Sequence, residues 1–99
     1  MPFDWPIPDS VLAAFCQRHH ITRLALFGSA LRDDFGPHSD VDVLVEFSAE
    51  HVPGLIRLSG IAQELSELVG RPVDLRTPAD LSRYFRGRVV ESAVVKYAA

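Results

Sequence analysis

The strongest constraint on the fold is a pair of apolar segments joined by a polar connection. The first segment, Ile21 to Phe27, is apolar and β-branched and ends abruptly at Gly28-Ser29. The second, Asp40 to Phe47, alternates in the way typical of a strand with two different faces. One face would carry Val41, Val43, Val45 and Phe47, and the other Asp40, Asp42, Leu44 and Glu46. The pattern predicts two strands with one apolar face and one acidic face.

Helical periodicity is visible on both sides of these strands. Apolar residues at helical spacing predict a first helix over about 9 to 19, and His19-His20 at its end are expected to face solvent. A longer apolar stripe predicts a second helix over 55 to 69, ended by Gly70 at a position that favours a left-handed residue.

The last third of the chain gives weaker signals. A short third strand is predicted over 72 to 76, and Thr77-Pro78 predicts that another helix starts at about 78. The tail from Phe85 to Tyr97 is expected to be mainly helical. Because the tail contains Gly87 and four valines, it could also contain breaks or end in an extended segment.

Length and charge narrow the possible functions. With 99 residues, the chain is expected to form one domain over 1–99. A net charge of −3 with ten scattered basic residues argues against binding long nucleic acid. We see no signal peptide and no apolar run that could span a membrane, so we expect a cytoplasmic protein. The lone Cys16 is expected to be an inert buried thiol.

Three aspartates are the candidate metal ligands. Asp40 and Asp42 lie on one strand face about 6.6 Å apart at the backbone, close enough to converge on paired metal ions. Taken alone, two acids in this spacing could equally well face water. Asp74 on the third strand makes metal binding the better explanation, because three clustered carboxylates would repel one another without a cation. Oxygen ligands of this kind suit magnesium.

The Gly28-Ser29 turn supplies a candidate phosphate site. Glycine at a strand end lets the backbone approach a phosphate closely, and the amides and hydroxyl that follow can donate hydrogen bonds. Arg32, one turn further on, could reach the same phosphates. A plain strand-to-helix turn and an exposed arginine would also explain these residues.

Taken together, Gly28-Ser29, Arg32, Ser39-Asp40-Val41-Asp42 and Val73-Asp74-Leu75 resemble the signature of the DNA polymerase beta-like nucleotidyltransferases. More narrowly, the chain resembles the minimal nucleotidyltransferases (MNT), many of which are antitoxins paired with a HEPN-domain toxin. The similarity runs from about Leu24 to Arg76, and Arg86 to Tyr97 resembles the family's C-terminal segment. The resemblance implies an α/β (α+β) fold, with a small mixed β-sheet of about three strands and helices mainly on one face.

The resemblance also assigns roles to residues. It implies that ATP is the donor, held by Gly28, Ser29, Arg32 and Ser39. It implies that Asp40, Asp42 and Asp74 ligate two Mg²⁺ ions and carry the catalysis. The expected activity is that of a magnesium-dependent protein adenylyltransferase, an antitoxin that transfers AMP from ATP to a tyrosine of a HEPN toxin. Because 99 residues leave no room for an acceptor-binding domain, a partner protein in a hetero-oligomer would present the hydroxyl.

Two alternatives stay open. The chain could neutralise its toxin by occupying a surface, through the exposed face of the 55 to 69 helix or through aromatic residues near the chain ends. These aromatic residues are Trp5, Tyr84, Phe85 and Tyr97. A less favoured alternative is nucleotide transfer to a small molecule, which would need no protein partner.

Overall fold

The computed structural model describes residues 4–31, 36, 39–81, 87 and 92–99. Its helices and strands follow the order α1 (Asp9–Arg18), β1 (Ile21–Leu26), β2 (Val41–Phe47), α2 (Leu55–Val69), β3 (Val73–Arg76) and β4 (Val94–Ala98). Single 3-10 turns occur at Gly28–Leu31, Ala49–His51 and Pro78–Asp80. The sheet order is β3-β2-β1-β4. Strand β1 runs antiparallel to β2 and β4, whereas β2 and β3 are parallel, so the sheet is mixed.

Both helices bury one stripe against the same sheet face, as their periodicity predicts. On α1 the buried residues are Leu12, Phe15 and Cys16, and on α2 they are Ile61, Leu65 and Val69. They share one apolar cluster with the predicted inward residues of β2, which are Val41, Val43 and Val45. The predicted apolar face of β2 is therefore confirmed.

The long helix determines how the acidic strands meet. Parallel neighbouring strands need a crossover connection, and α2 provides it between β2 and β3. The helix ends at Gly70, whose φ of 79° is left-handed and whose amide donates to the Ser66 carbonyl at 2.8 Å. The chain then enters β3, with Val73 paired to Val41. The crossover therefore returns the chain to the start of β2.

The end of the chain differs from the expectation. The tail was expected to be mainly helical with a final extended piece left open, and its final residues form that extended piece as a fourth strand, β4. The prediction of about three strands is therefore one short. Pairing with β1 explains the difference, because it satisfies the backbone of β-branched residues that favour strands. At the helix predicted from about 78, the described residues form a single 3-10 turn with a capping box between Thr77 and Asp80. Tyr84 and Phe85 lie outside the described residues.

The segment before α1 packs onto the domain. Ile7 is buried in the apolar cluster, and Trp5 is partly buried against it. Among the described residues, neither helix is both long and apolar enough to cross a bilayer.

Candidate active site

The parallel pairing of β2 and β3 places two of the predicted acids side by side. Asp42 is in register with Asp74, between the Val41–Val73 and Val43–Leu75 pairs. Residues in register on neighbouring strands point to the same face, and their backbones lie about 4.8 Å apart. Asp42 and Asp74 are both partly buried. The fold therefore brings together two carboxylates that are 32 positions apart in sequence.

Asp40 lies just before the strand that carries Asp42. It is exposed and immediately precedes β2, on the same side as Asp42 by strand alternation. The strand is anchored next to it, because the Val41 amide donates to the Pro72 carbonyl at 2.9 Å.

Gly28 brings the phosphate-loop candidate into direct contact with Asp42. Its φ of 60° is left-handed, and the Phe27 amide before it donates to the Asp42 carbonyl at 3.1 Å. A Cβ added to Gly28 would lie only 2.5 Å from Asp42 Oδ2. Glycine is therefore needed here twice, for its backbone angle and for the close approach of the carboxylate.

The structure describes the other predicted nucleotide-binding residues only in part. The Ser29 backbone belongs to the Gly28–Leu31 turn, but its side chain, like Arg32, is not among the described parts of the structure. Ser39 closes a local turn in which its hydroxyl accepts from the Gly36 amide at 3.1 Å. The Ser39 amide donates back to the Gly36 carbonyl, also at 3.1 Å.

Asp74 already has a cationic partner. Arg76 Nε lies 3.2 Å from Asp74 Oδ1, and its Nη2 donates to Oδ2 at 3.3 Å. Within the described ranges, no three His, Cys, Asp or Glu side chains are gathered closely enough to hold a metal ion. Asp40, Asp42 and Asp74 still fit magnesium in donor chemistry, because all three offer carboxylate oxygens. Binding through Asp74 would require its carboxylate to turn away from Arg76.

Sequence reasoning missed Arg71. This half-buried residue follows α2, and its Nη2 donates to the carbonyls of Gly36 and Ser39, the latter at 3.2 Å. An arginine just past a helix end looks like an ordinary exposed residue, so the sequence carried no signal for this contact.

Glu46 lies on the acidic face of β2 but away from the aspartates. Its carboxylate is 3.8 Å from Arg23 Nη1 on β1. It also borders an open, mainly apolar cavity of about 290 Å³ at the far end of β2, lined by Val45, Glu46, Phe47, Val52, Thr77, Pro78 and Ala79. This cavity is separate from the carboxylate site.

The histidine pair is less simple than expected. His20 is exposed and stacks on His51 with ring centroids 3.7 Å apart. His19, by contrast, is mostly buried, bonds through Nε2 to Glu64 at 2.9 Å and packs edge-on against Phe15. The expectation of solvent exposure is therefore wrong for His19, because α2 packs beside it.

Cys16 is the fully buried residue that the sequence predicted. Burial raises the pKa of its thiol to about 12, so the thiolate is scarce at neutral pH. The residue serves packing and gives the site no nucleophile.

Comparison with known sequences identifies the family. Residues 9–96 match the family described as "Nucleotidyltransferase domain". A protein of Methanocaldococcus jannaschii, provisionally named a protein adenylyltransferase, is 32% identical over 77 residues, covering 78% of this chain and 81% of that protein. The protein adenylyltransferase MntA of Thermococcus cleftensis is 31% identical over 78 residues, covering 79% of this chain and 77% of that protein.

Several solved structures superpose on this chain. A toxin-antitoxin crystal structure with AMP-PNP superposes with a TM-score of 0.73 at 19% identity, covering 94% of this chain and 75% of that chain. A complex of tri-AMPylated Shewanella oneidensis HEPN toxin with MNT antitoxin superposes with a TM-score of 0.64 at 18% identity, covering 92% of this chain and 70% of that chain. These two likenesses show the fold alone.

A third solved structure, provisionally described as a minimal nucleotidyltransferase, reaches a TM-score of 0.66 at 28% identity, covering 87% of this chain and 86% of that chain. It agrees in fold and description with the resemblance found in the sequence. The family model matches residues 9–96 of this chain, and two relatives are more than 30% identical to it. This chain therefore belongs to the nucleotidyltransferase domain family.

Proposed function

We propose that this protein is a magnesium-dependent adenylyltransferase that transfers AMP from ATP to a tyrosine hydroxyl of a HEPN-domain toxin and thereby silences it. The observation that carries this proposal is the register of Asp42 with Asp74 beside the glycine turn at Gly28. The names of the relatives support AMP transfer to protein, and the structural neighbours support a HEPN toxin as the acceptor.

The donor nucleotide is assigned to the glycine turn. Gly28 has no side chain to keep a triphosphate away from Asp42, and the turn that follows offers backbone amides. Ser29, Arg32 and Ser39 are assigned to the same phosphates as further hydrogen-bond donors. The α-phosphate would then lie against the face that carries the aspartates.

Asp40, Asp42 and Asp74 are the residues that would hold magnesium. When bound, the ions would neutralise phosphate charge, lower the pKa of the acceptor hydroxyl and hold the pyrophosphate. Once Asp74 turns away from Arg76, a bound cation would relieve the repulsion between the adjacent carboxylates at 42 and 74.

In the proposed reaction the tyrosine oxygen attacks the α-phosphorus. A new P–O bond forms, the bond from the α-phosphorus to the bridging oxygen breaks, and pyrophosphate leaves with that bond's electron pair. The tyrosine proton passes to a carboxylate, for which Asp74 is our candidate, and then to solvent. The chain's contribution is mainly to position donor and acceptor in line.

The direct experiment incubates the purified protein with its HEPN partner, magnesium and ATP labelled at the α- or γ-phosphate. Only α-label should appear on the partner. Asp42→Asn should abolish labelling, whereas Glu50→Gln, an exposed acid beyond the far end of β2, should not change it. If the partner stays unlabelled with the wild-type protein, or Asp42→Asn labels as well as wild type, the enzymatic proposal is wrong.

An exposed apolar patch favours one alternative, neutralisation by binding alone. Val52, Leu55 and Ile56 are 67%, 84% and 92% exposed, and they lie at the end of β2 opposite the aspartates. A surface of this kind suits a protein contact. Full toxin neutralisation by the Asp40→Asn, Asp42→Asn double variant would establish this alternative in place of catalysis.

We further propose that residues 1–99 form one domain that acts in the cytoplasm in a hetero-oligomer with its toxin. The apolar cluster shared by the described helices and strands supports the domain assignment, as does a radius of gyration of 12.8 Å, which is close to that expected for a domain of about 100 residues. The need for ATP supports the compartment. Size-exclusion chromatography of the co-expressed pair, with light scattering, tests the assembly.

A further inference from the structure

The segment that joins α2 to β3 holds the loop in front of Asp40. Arg71, the first residue of this segment after Gly70, donates from Nη2 to two backbone carbonyls of that loop. These belong to Gly36 and Ser39, so one guanidinium links both ends of the Gly36–Ser39 turn.

The backbone around Arg71 is held to α2 by hydrogen bonds. Its amide donates to the Ser66 carbonyl at 3.2 Å, and the Val73 amide donates to Ser66 Oγ at 3.0 Å. The Ser66 hydroxyl in turn donates to the Ala62 carbonyl at 2.8 Å within the helix. The arginine therefore reaches the loop from a backbone that is anchored to Ser66 at Arg71 itself and at Val73.

The same segment holds Asp40 from both sides. Arg71 binds the carbonyl of Ser39, and the Pro72 carbonyl accepts from the Val41 amide at 2.9 Å. Asp40 lies between these two anchored residues and has no place in the strand ladder itself.

We propose that Arg71 is a positioning residue, which sets the backbone at Asp40 so that this carboxylate can join Asp42 in binding a divalent cation. The inference rests on the proposed function. A guanidinium presents several donors in a rigid fork, whereas a lysine ammonium is a flexible point charge. Loss of the fork would leave two partly buried carbonyls without this donor and free the turn that precedes Asp40.

The test compares Arg71→Ala, Arg71→Lys and the control Arg57→Ala, which removes an exposed arginine of α2. The first measurement is amide hydrogen exchange by NMR. In Arg71→Ala the Ser39 amide should exchange at least about tenfold faster, because the turn is free to open. The Gly70 amide, bonded at 2.8 Å inside the helix end, should keep its wild-type rate.

The second measurement is the affinity for Mn²⁺ alone, followed by paramagnetic broadening of the Asp42 amide signal. Removing a group that orients a metal ligand typically weakens metal binding by about 10- to 100-fold, and we expect a loss in this range for Arg71→Ala. Arg71→Lys should lie between alanine and wild type, because it retains the charge and one donor group. Arg57→Ala should match wild type in both measurements.

The outcomes separate this inference from the proposed function. Wild-type exchange at Ser39 in both Arg71 variants would overturn the positioning role, as would weaker Mn²⁺ binding without faster exchange. If Arg71→Ala does not fold, Arg71→Lys alone decides, and wild-type behaviour of that variant overturns the role of the fork. Neither measurement needs AMP transfer, so a wild-type protein that transfers nothing would refute the proposed function and leave the Arg71 result standing.

Discussion

Replacing Gly28 by alanine should disable the site at a modest cost in stability. The left-handed φ of 60° costs an alanine about 1–2 kcal/mol, a loss of roughly 4–8 °C in melting temperature per kcal/mol for a domain of this size. The new Cβ would lie 2.5 Å from Asp42 Oδ2, so the carboxylate must retreat by about 0.9 Å to reach ordinary contact. Displacement of a catalytic group by about 1 Å can lower a rate by roughly a hundredfold.

Gly70→Ala is the matched control. Gly70 is also left-handed, at a φ of 79°, but a Cβ there would meet nothing within 4 Å. It should show a similar fall in melting temperature while AMP transfer stays within about threefold of wild type. Both variants are assayed by thermal unfolding and by the rate of α-label transfer to the HEPN partner. Equal transfer rates in the two variants would refute the reasoning about Asp42.

Two further variants test the fold. Desolvation is the main cause that lowers the pKa of His20 below 6.5, and the charge of neighbouring His51 is the next. The unfolded state therefore binds the proton better, so the stability of the fold should decrease as the pH drops below about 6.5. His20→Asn, which tolerates the left-handed φ of 59°, should show a smaller fall in melting temperature between pH 7.5 and 5.5, and an unchanged pH profile would contradict this. Gly60→Ala on the exposed side of α2, with open space around its Cβ, should raise stability by about 0.5–1 kcal/mol in urea unfolding, and a decrease would contradict the helix geometry.

The sequence was most informative where periodicity and a stop signal agree. The helix at Leu55–Val69 has the predicted bounds, because its apolar stripe meets the core and Gly70 ends it. The nearness of Asp74 to Asp42 follows from this helix, since a crossover of one helix returns the chain parallel to β2. The meeting of the two acids in the structure is therefore a consequence of α2.

The tail was harder to predict because its valines favour a strand but do not by themselves decide whether one forms. Only the pairing of Val94–Ala98 with β1 decides for a strand, and that pairing joins residues about 70 positions apart in sequence. The same limit applies to Arg71, whose partners Gly36 and Ser39 are fixed by the return of α2 to the start of β2. Contacts between distant segments of this kind have no local pattern in sequence.

The central claim is that Asp42 and Asp74, in register on neighbouring strands, form one site for AMP transfer. The most direct test is the single-turnover rate of AMP addition to the HEPN partner, followed by intact mass, for Asp42→Asn, Asp74→Asn and the double variant. Residues that act as one unit are not additive, so each single variant should lose at least about a hundredfold and the double variant little more. Transfer by Asp74→Asn at the wild-type rate would contradict the claim.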